Sequence, residues 1–242
     1  MTLPQSVRDL ALRLGANETG VAGPTVLTQA GEMKLSLTSR RWHRFTARQT
    51  MAVTSCAFSW HARFWPFGYL SVTDALQAGR GQLDVTALGL FPVMRCAPSV
   101  ALTKGEMQRY LAELPFAPDA MLHNRALSWR VVDANQIAVS CGPAAMQTEV
   151  IFALDADGRV ASATASDRPR SVTAPHLPTP WRGQFSDYRL VQGRWVPFAG
   201  QVAWVIDGVE VPYWRGVLTS WTMASPPFAA PAPTTRLQGV QP

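Results

Sequence analysis

Residues 180–223 read PWRGQFSDYRLVQGRWVPFAGQVAWVIDGVEVPYWRGVLTSWTM and hold five of the nine tryptophans: Trp181, Trp195, Trp204, Trp214 and Trp221. Apolar and polar residues alternate along the stretch, and Gly-containing turns interrupt it, Asp207-Gly208 most clearly. Period-two alternation marks a strand with one covered face, and Asp-Gly between two such runs marks a tight hairpin. The stretch therefore predicts a β-meander with an aromatic face. Rings on the covered face of an antiparallel sheet either fill a core or wall a cavity for an apolar ligand.

The same period recurs upstream. Met33, Leu35 and Leu37 alternate with Lys34 and Ser36. Phe45, Ala47, Gln49, Met51 and Val53 share one face, and Phe58, Trp60, Ala62 and Phe64 share the next, as in a hairpin. Further strands are expected over 69–74, 82–88, 93–97, 127–132, 136–141, 149–154 and 159–165. Gly79 and Gly81 mark one turn among them and Asp155-Ala156-Asp157-Gly158 another. Residues 166–180, rich in Pro, Ser and Thr, read as a long surface loop of the kind that forms a lid or rim.

Helical spacing appears twice. Thr103-Lys104-Gly105-Glu106 has the form of a capping box, and Met107, Tyr110, Leu111 and Leu114 follow it until Pro115; Pro118 then opens a short second helix. Near the N-terminus Val7, Leu10, Ala11 and Leu14 define an amphipathic helix within residues 1–15. The expected fold class is α+β, mainly β: a strongly curved antiparallel sheet, or half-barrel, wrapping a short helical insertion at 103–123, with an N-terminal helix. Residues 1–224 form a single domain in this reading, and 225–242 a disordered Pro/Ala-rich tail.

Composition narrows the functional classes. An apolar fraction of 47% with only 16% charged residues supplies a large core. The net charge of +6 and pI near 9.8 raise nucleic acid as a partner, but the basic residues are dispersed. Their one dense group, Arg40, Arg41, Arg44 and Arg48 around Trp42 and His43, carries no nucleic-acid motif and reads as a solvated strand face. Cys56, Cys96 and Cys141 are too few and too scattered for a disulfide framework or a cysteine zinc site. With no apolar run of signal-peptide or membrane-spanning form, the expected location is cytoplasmic, without a membrane span.

The runs Pro180 to Tyr188, Gly193-Arg194-Trp195-Val196-Pro197, Val202-Ala203-Trp204 and Pro212-Tyr213-Trp214-Arg215-Gly216 resemble the DUF6544 family of uncharacterised bacterial proteins. Gly79-Arg80-Gly81 and Gly105-Glu106 through Glu113 agree with it in order. The resemblance implies a lipoprotein-carrier type of fold, with a curved sheet around helices and an apolar hollow, and it implies no activity. Arg48 and Gln201 stand where that family often has Glu.

Candidate chemistry is sparse. Glu106, Arg109, Tyr110 and Glu113 project from one side of the predicted helix. There an acid, a phenol and a guanidinium would act on a bound ligand, with Glu106 able to pair with Arg109. Capping and packing explain the same residues structurally. Asp74 is the first choice for a functional carboxylate, or else a turn partner of Arg80. His123 is a candidate for the mouth of a cavity, whereas His61 is expected to face outward. Phe58, Trp60, Phe64, Arg80, Trp129, Trp181, Trp204, Tyr213 and Trp214 are candidate ligand contacts, and Phe67 belongs to the same aromatic set. Ala62, Ala87, Gly200 and Ala203 would be the small walls between them. No nucleophile elbow, phosphate loop or metal-ligand spacing occurs, so neither cofactor nor metal is expected. Three functions fit: binding a hydrophobic or aromatic small molecule, a cofactor-independent lyase or isomerase acting on an aromatic substrate, or a protein-interaction module. The oligomeric state is not legible.

Overall fold

The computed structural model describes residues 3–19, 23–66, 69–88, 91–143, 146, 148–171 and 175–224. The expected tail over 225–242 and Phe67 lie outside these residues. Helix α1 (Gln5–Arg13) leads into six strands: β1 (Thr25–Met33), β2 (His43–Met51), β3 (Phe58–Phe64), β4 (Leu70–Gln77), β5 (Arg80–Ala87) and β6 (Phe91–Arg95). Helix α2 (Val100–Ala112), a 3-10 turn (Leu114–Phe116) and α3 (Asp119–His123) follow. Seven more strands complete the chain: β7 (Ser128–Val131), β8 (Gln136–Cys141), β9 (Thr148–Leu154), β10 (Val160–Pro169), β11 (Pro178–Val191), β12 (Arg194–Ile206) and β13 (Val209–Met223). All thirteen strands join one antiparallel sheet in the order β6-β5-β4-β3-β2-β1-β13-β12-β11-β10-β9-β8-β7, so β1 and β13 fuse two consecutive meanders.

Helix α2 decides the curvature. It touches β4 and β5 of one half and β8, β9 and β10 of the other, so the sheet has to bend around it. Its faces are buried nearly all round, from Leu102 and Met107 to Tyr110, Leu111 and Ala112, as expected for a helix enclosed by sheet. The bend is greatest in provision at the centre, where Gly31 of β1 pairs with Gly216 of β13, which pairs with Gly200 of β12. Rings lie where side chains would stand. A Cβ on Gly31 would meet the Phe45 ring at 2.9 Å, and one on Gly216 would meet the Trp214 ring at 2.9 Å. Glycine across three adjacent strands, covered by aromatic rings, lets a twisted sheet curl sharply without leaving a void.

Several expectations shift. The helix is capped by Ser99, whose Oγ accepts from the Leu102 N–H at 3.0 Å, four residues before the Thr103 capping box. Thr103 is instead buried and accepts from the Gly81 N–H at 3.1 Å, which couples the helix start to β5. The alternation at Met33, Leu35 and Leu37 belongs to a strand only at its first residue, since β1 ends at Met33 and Leu35 is exposed. Residues 166–180 are not a long loop, because β10 runs to Pro169 and β11 begins at Pro178, with the two prolines paired across the ladder. The period fails there because Ala165 pairs with Trp181 but Arg168 with Thr179, an extra residue and hence a β-bulge. Three two-residue turns, Ala78-Gly79, Gln192-Gly193 and Asp207-Gly208, have positive φ at both residues, which matches the twist of the strands they join. Among the described residues no helix is long and apolar enough to cross a membrane.

A Cβ on Gly31 would also lie 2.3 Å from the Arg215 carbonyl oxygen, which is backbone and cannot rotate away. Gly31→Ala is expected to cost about 1–3 kcal/mol, the range for overpacking, read as a lowered urea midpoint at unchanged m-value.

Candidate functional site

Between the last turns of α2 and the concave face of β11–β13 lies a cavity of about 240 Å³. Its apolar walls are aromatic: Trp60, Phe116, Trp181, Phe185, Tyr213 and Trp214, with Val72 and Ala112 between them. The rings are held from behind. Trp204 stacks on Tyr213 with centroids 5.7 Å apart, and Phe45 meets Trp60 and Trp214 at 5.8 and 5.9 Å. Trp181 Nε1 donates to Tyr213 Oη at 3.0 Å, and Trp60 Nε1 donates to Gln29 Oε1 at 2.8 Å. Both indoles have their polar atoms satisfied, leaving ring faces for the cavity.

One end of the cavity is charged. Arg109 of α2 donates from Nη1 to Asp74 Oδ2 of β4 and from Nε to Glu113 Oε1 at 3.0 Å. Its guanidinium carbon lies 4.9 Å from the ring centres of both Phe58 and Trp60. Gln49 Nε2 of β2 donates to the other Glu113 oxygen at 2.5 Å. Burial works against the Arg109 charge, but Glu113, Asp74 and Glu106 together outweigh it and raise the pKa, so the guanidinium stays ionised. Glu106 lies buried beside Asp74, and one oxygen of each, Glu106 Oε2 and Asp74 Oδ1, has no hydrogen-bond donor. Burial, then the adjacent Asp74 charge, raises the Glu106 pKa well above the ordinary carboxyl range. Two carboxyl groups this close resist being ionised together.

Asp74, Arg109, Trp60, Trp181, Tyr213 and Trp214 are brought together at the cavity. Phe58 lies behind Arg109, Trp204 behind Tyr213, and Phe64 against Phe45 at 5.8 Å. The others fall elsewhere. Tyr110 is fully buried, donates to the Ala52 carbonyl at 3.0 Å and accepts from Asn124 at 2.9 Å; burial raises its pKa, so the phenol is a fixed structural donor. His123 Nε2 bonds to the Asn17 carbonyl at 2.7 Å, and Trp129 packs on Phe152 at 6.4 Å. Arg80 is exposed at the β4–β5 turn and is not the partner of Asp74, because Arg109 reaches that carboxylate from inside the bend. Glu106, expected to pair with Arg109, is displaced from it by Asp74 and Glu113.

Of the cavity residues that the sequence does not single out, Gln29, Phe116 and Arg168 show why. Gln29 lies in β1, where the alternation that starts at Met33 covers only the last residue of the strand. Phe116 lies in the 3-10 turn after Pro115. Arg168 follows the β10 bulge, inside the stretch taken for a loop; its guanidinium stacks over Trp181 at 5.0 Å, and its Nη1 is buried without a partner. The register shift after Ala165 ends the alternation, so no local period extends the strand to Arg168.

The architecture defines a class: a single curved antiparallel sheet clasping a helix, with a hollow between them. Two solved structures share it across nearly their whole lengths. The LolA superfamily protein NE2245 from Nitrosomonas europaea has a TM-score of 0.51 and 7% identity, covering 94% of this chain and 96% of that one. A DUF1329 family protein from Desulfovibrio piger has a TM-score of 0.52 and 10% identity, covering 92% and 94%. At such identities the likeness is one of fold. In sequence, the chain belongs to DUF6920, a family of unknown function whose profile matches residues 1–222. No curated protein matches it. The DUF6920 match overturns the resemblance to DUF6544. The short Trp-, Gly- and Pro-containing runs that carried that resemblance sit in β11–β13, where the bend demands those residue types. The reading of Arg48 and Gln201 as altered family positions falls with it: Arg48 is exposed, and Gln201 lines the cavity on its own account.

The raised Glu106 pKa carries a stability consequence with a definite sign. An acid whose folded pKa exceeds its unfolded value costs nothing below the ordinary carboxyl range and destabilises increasingly as pH rises from there through the folded pKa. Glu106→Gln keeps the shape without the titration. The melting temperature of the variant relative to the parent should climb between pH 4.5 and pH 8, and a difference independent of pH would show that Glu106 is ionised in the fold.

Proposed function

We propose that this protein binds a hydrophobic small molecule in the cavity between α2 and β11–β13. The observation that carries the reading is the cavity itself: about 240 Å³ walled largely by aromatic rings, with the indole N–H groups of Trp60 and Trp181 already paired within the protein. Close-packed cores do not leave such a volume by default, because unfilled space forfeits dispersion contacts on every wall. An apolar occupant recovers those contacts and removes aromatic surface from water. The volume corresponds to roughly eight waters at about 30 Å³ each, which suits a short alkyl chain or a single substituted ring. The fold likeness to a LolA superfamily protein supports a hollow of this kind. The lyase reading has no comparable support, since its intended proton donor, Tyr110, is committed to Ala52 away from the cavity.

Titration with 1-octanol should quench or shift tryptophan emission saturably, because Trp60, Trp181 and Trp214 all face the cavity. Val202→Phe, which places a ring into the same space, should remove the response while leaving circular dichroism unchanged. A non-saturating response, or one indifferent to Val202→Phe, would reject the cavity as the binding site.

A further inference from the structure

The two cavity arginines differ in one respect. Arg109 is held by two carboxylates, Asp74 and Glu113, and by two rings. Arg168 has no such carboxylate partner among the described residues. Among the described residues no carboxylate oxygen lies within 4.0 Å of its guanidinium, no side-chain hydrogen bond reaches it, and its Nη1 is buried and unpartnered. Its guanidinium lies over the face of Trp181, at 5.0 Å.

This placement comes from the β10 bulge. On a regular strand successive side chains point to opposite faces. Here the extra residue between Ala165 and Arg168 turns both Asp167 and Arg168 to the concave side. Asp167 is consumed there by α2, accepting from Lys104 Nζ at 2.5 Å and from Gln108 Nε2 at 2.9 Å, one bond to each oxygen. Arg168, beside it, is left facing the cavity. Glu106 is an acid whose charge interacts with that of Arg168, and burial raises its pKa.

A second donor lies in the same wall. Tyr213 Oη accepts the Trp181 N–H, and its own proton has no acceptor among the described residues. Burial raises its pKa and keeps that proton in place. A planar cation with a buried, unmatched N–H and a phenol with a free proton, set at the edge of an aromatic hollow, form the complement of a carboxylate carried on a short apolar body.

We propose that Arg168 and Tyr213 recognise the carboxylate of the ligand, so that the natural occupant is a small amphiphilic monocarboxylic acid whose alkyl or aryl portion fills the cavity. The proposal rests on the cavity-binding reading above, and the test separates the two. Calorimetric titration of the full chain with n-octanoate and with 1-octanol, equal in chain length and different in head group, is run for the parent and for Arg168→Gln. The parent should bind octanoate more tightly than octanol. Arg168→Gln should weaken octanoate by roughly tenfold to a hundredfold, the loss expected for a charge-assisted hydrogen bond, and change octanol less than about twofold. Tyr213→Phe should weaken octanoate in the same direction by a smaller factor. Octanol binding as tightly as octanoate, with both indifferent to Arg168→Gln, would overturn the carboxylate assignment and leave the cavity reading intact. Binding of neither probe would overturn both. If Arg168→Gln lowers thermal stability, Arg168→Lys decides the matter: it keeps the charge without the fork, and octanoate should bind more weakly than to the parent and more tightly than to Arg168→Gln.

Discussion

A buried guanidinium imposes more order on this molecule than any other single group. Desolvating a cation is costly, and a buried ion pair holds only when its geometry and its additional hydrogen bonds are good. Arg109 meets that demand with groups from separate parts of the chain: Asp74 from β4, Glu113 from its own helix, and the rings of Phe58 and Trp60 from β3. Gln49 of β2 extends the network through Glu113. The last turn of α2 is thus tied by direction-dependent bonds to β2 and β4, whereas apolar packing alone would let it slide. Removing one partner from a buried pair of this kind typically costs about 3–5 kcal/mol, so the network works as a register pin between helix and sheet.

The pin has a geometric corollary. Once the helix is held against the first meander, the second meander must close over its other side, and the sheet has to curl where β1, β13 and β12 meet. The glycines at 31, 216 and 200 allow the curl, and Trp214 and Phe45 occupy the volume their missing side chains leave. The rings cover the central strands and wall the space between them and Ala112 at the end of α2. The gap that remains is the cavity, and its position follows from two independent constraints: a polar clamp that apolar side chains cannot fill, and a bend that only glycine and large rings can line.

Much of this was legible in the residues. The period-two runs through Phe45–Met51 and Phe58–Phe64 and the Asp207-Gly208 turn specify strands and their faces, and the helical spacing at Met107, Tyr110 and Leu111 specifies the insertion. The polar end of the cavity was legible only in part. Asp74 was identifiable as an acid in an apolar stretch, and Arg109 as part of a polar helix face. Their pairing was not, since it depends on how far the sheet bends, and local charge proximity pointed to Arg80 and Glu106 instead. Arg168 was hidden for a different reason. A bulge breaks the alternation that reveals a strand, and the prolines at 169 and 178 read as loop formers when they in fact close the two strand ends. Tyr110 shows the opposite failure: helical spacing correctly placed it beside Arg109 in sequence, but a phenol one residue further on faces a different wall and meets Ala52 and Asn124.

The contrast between the two arginines separates scaffold from recognition. A buried charge with all its partners supplied by the protein is a structural device, and its removal is felt as instability. A charge buried without partners weakens the fold that holds it, because desolvation is paid with no return inside the molecule. Such a group is kept where something from outside completes it. Arg109 lies at the end of the cavity nearest the helix and is complete. Arg168 lines the same cavity from the sheet, stacked on a ring, with its Nη1 buried and unpartnered. The bulge that puts it there also turns the neighbouring acid, Asp167, toward Lys104 and Gln108 and away from neutralising it. The same local irregularity therefore creates the cation and withholds its counter-ion, an arrangement that a purely structural arginine would not require.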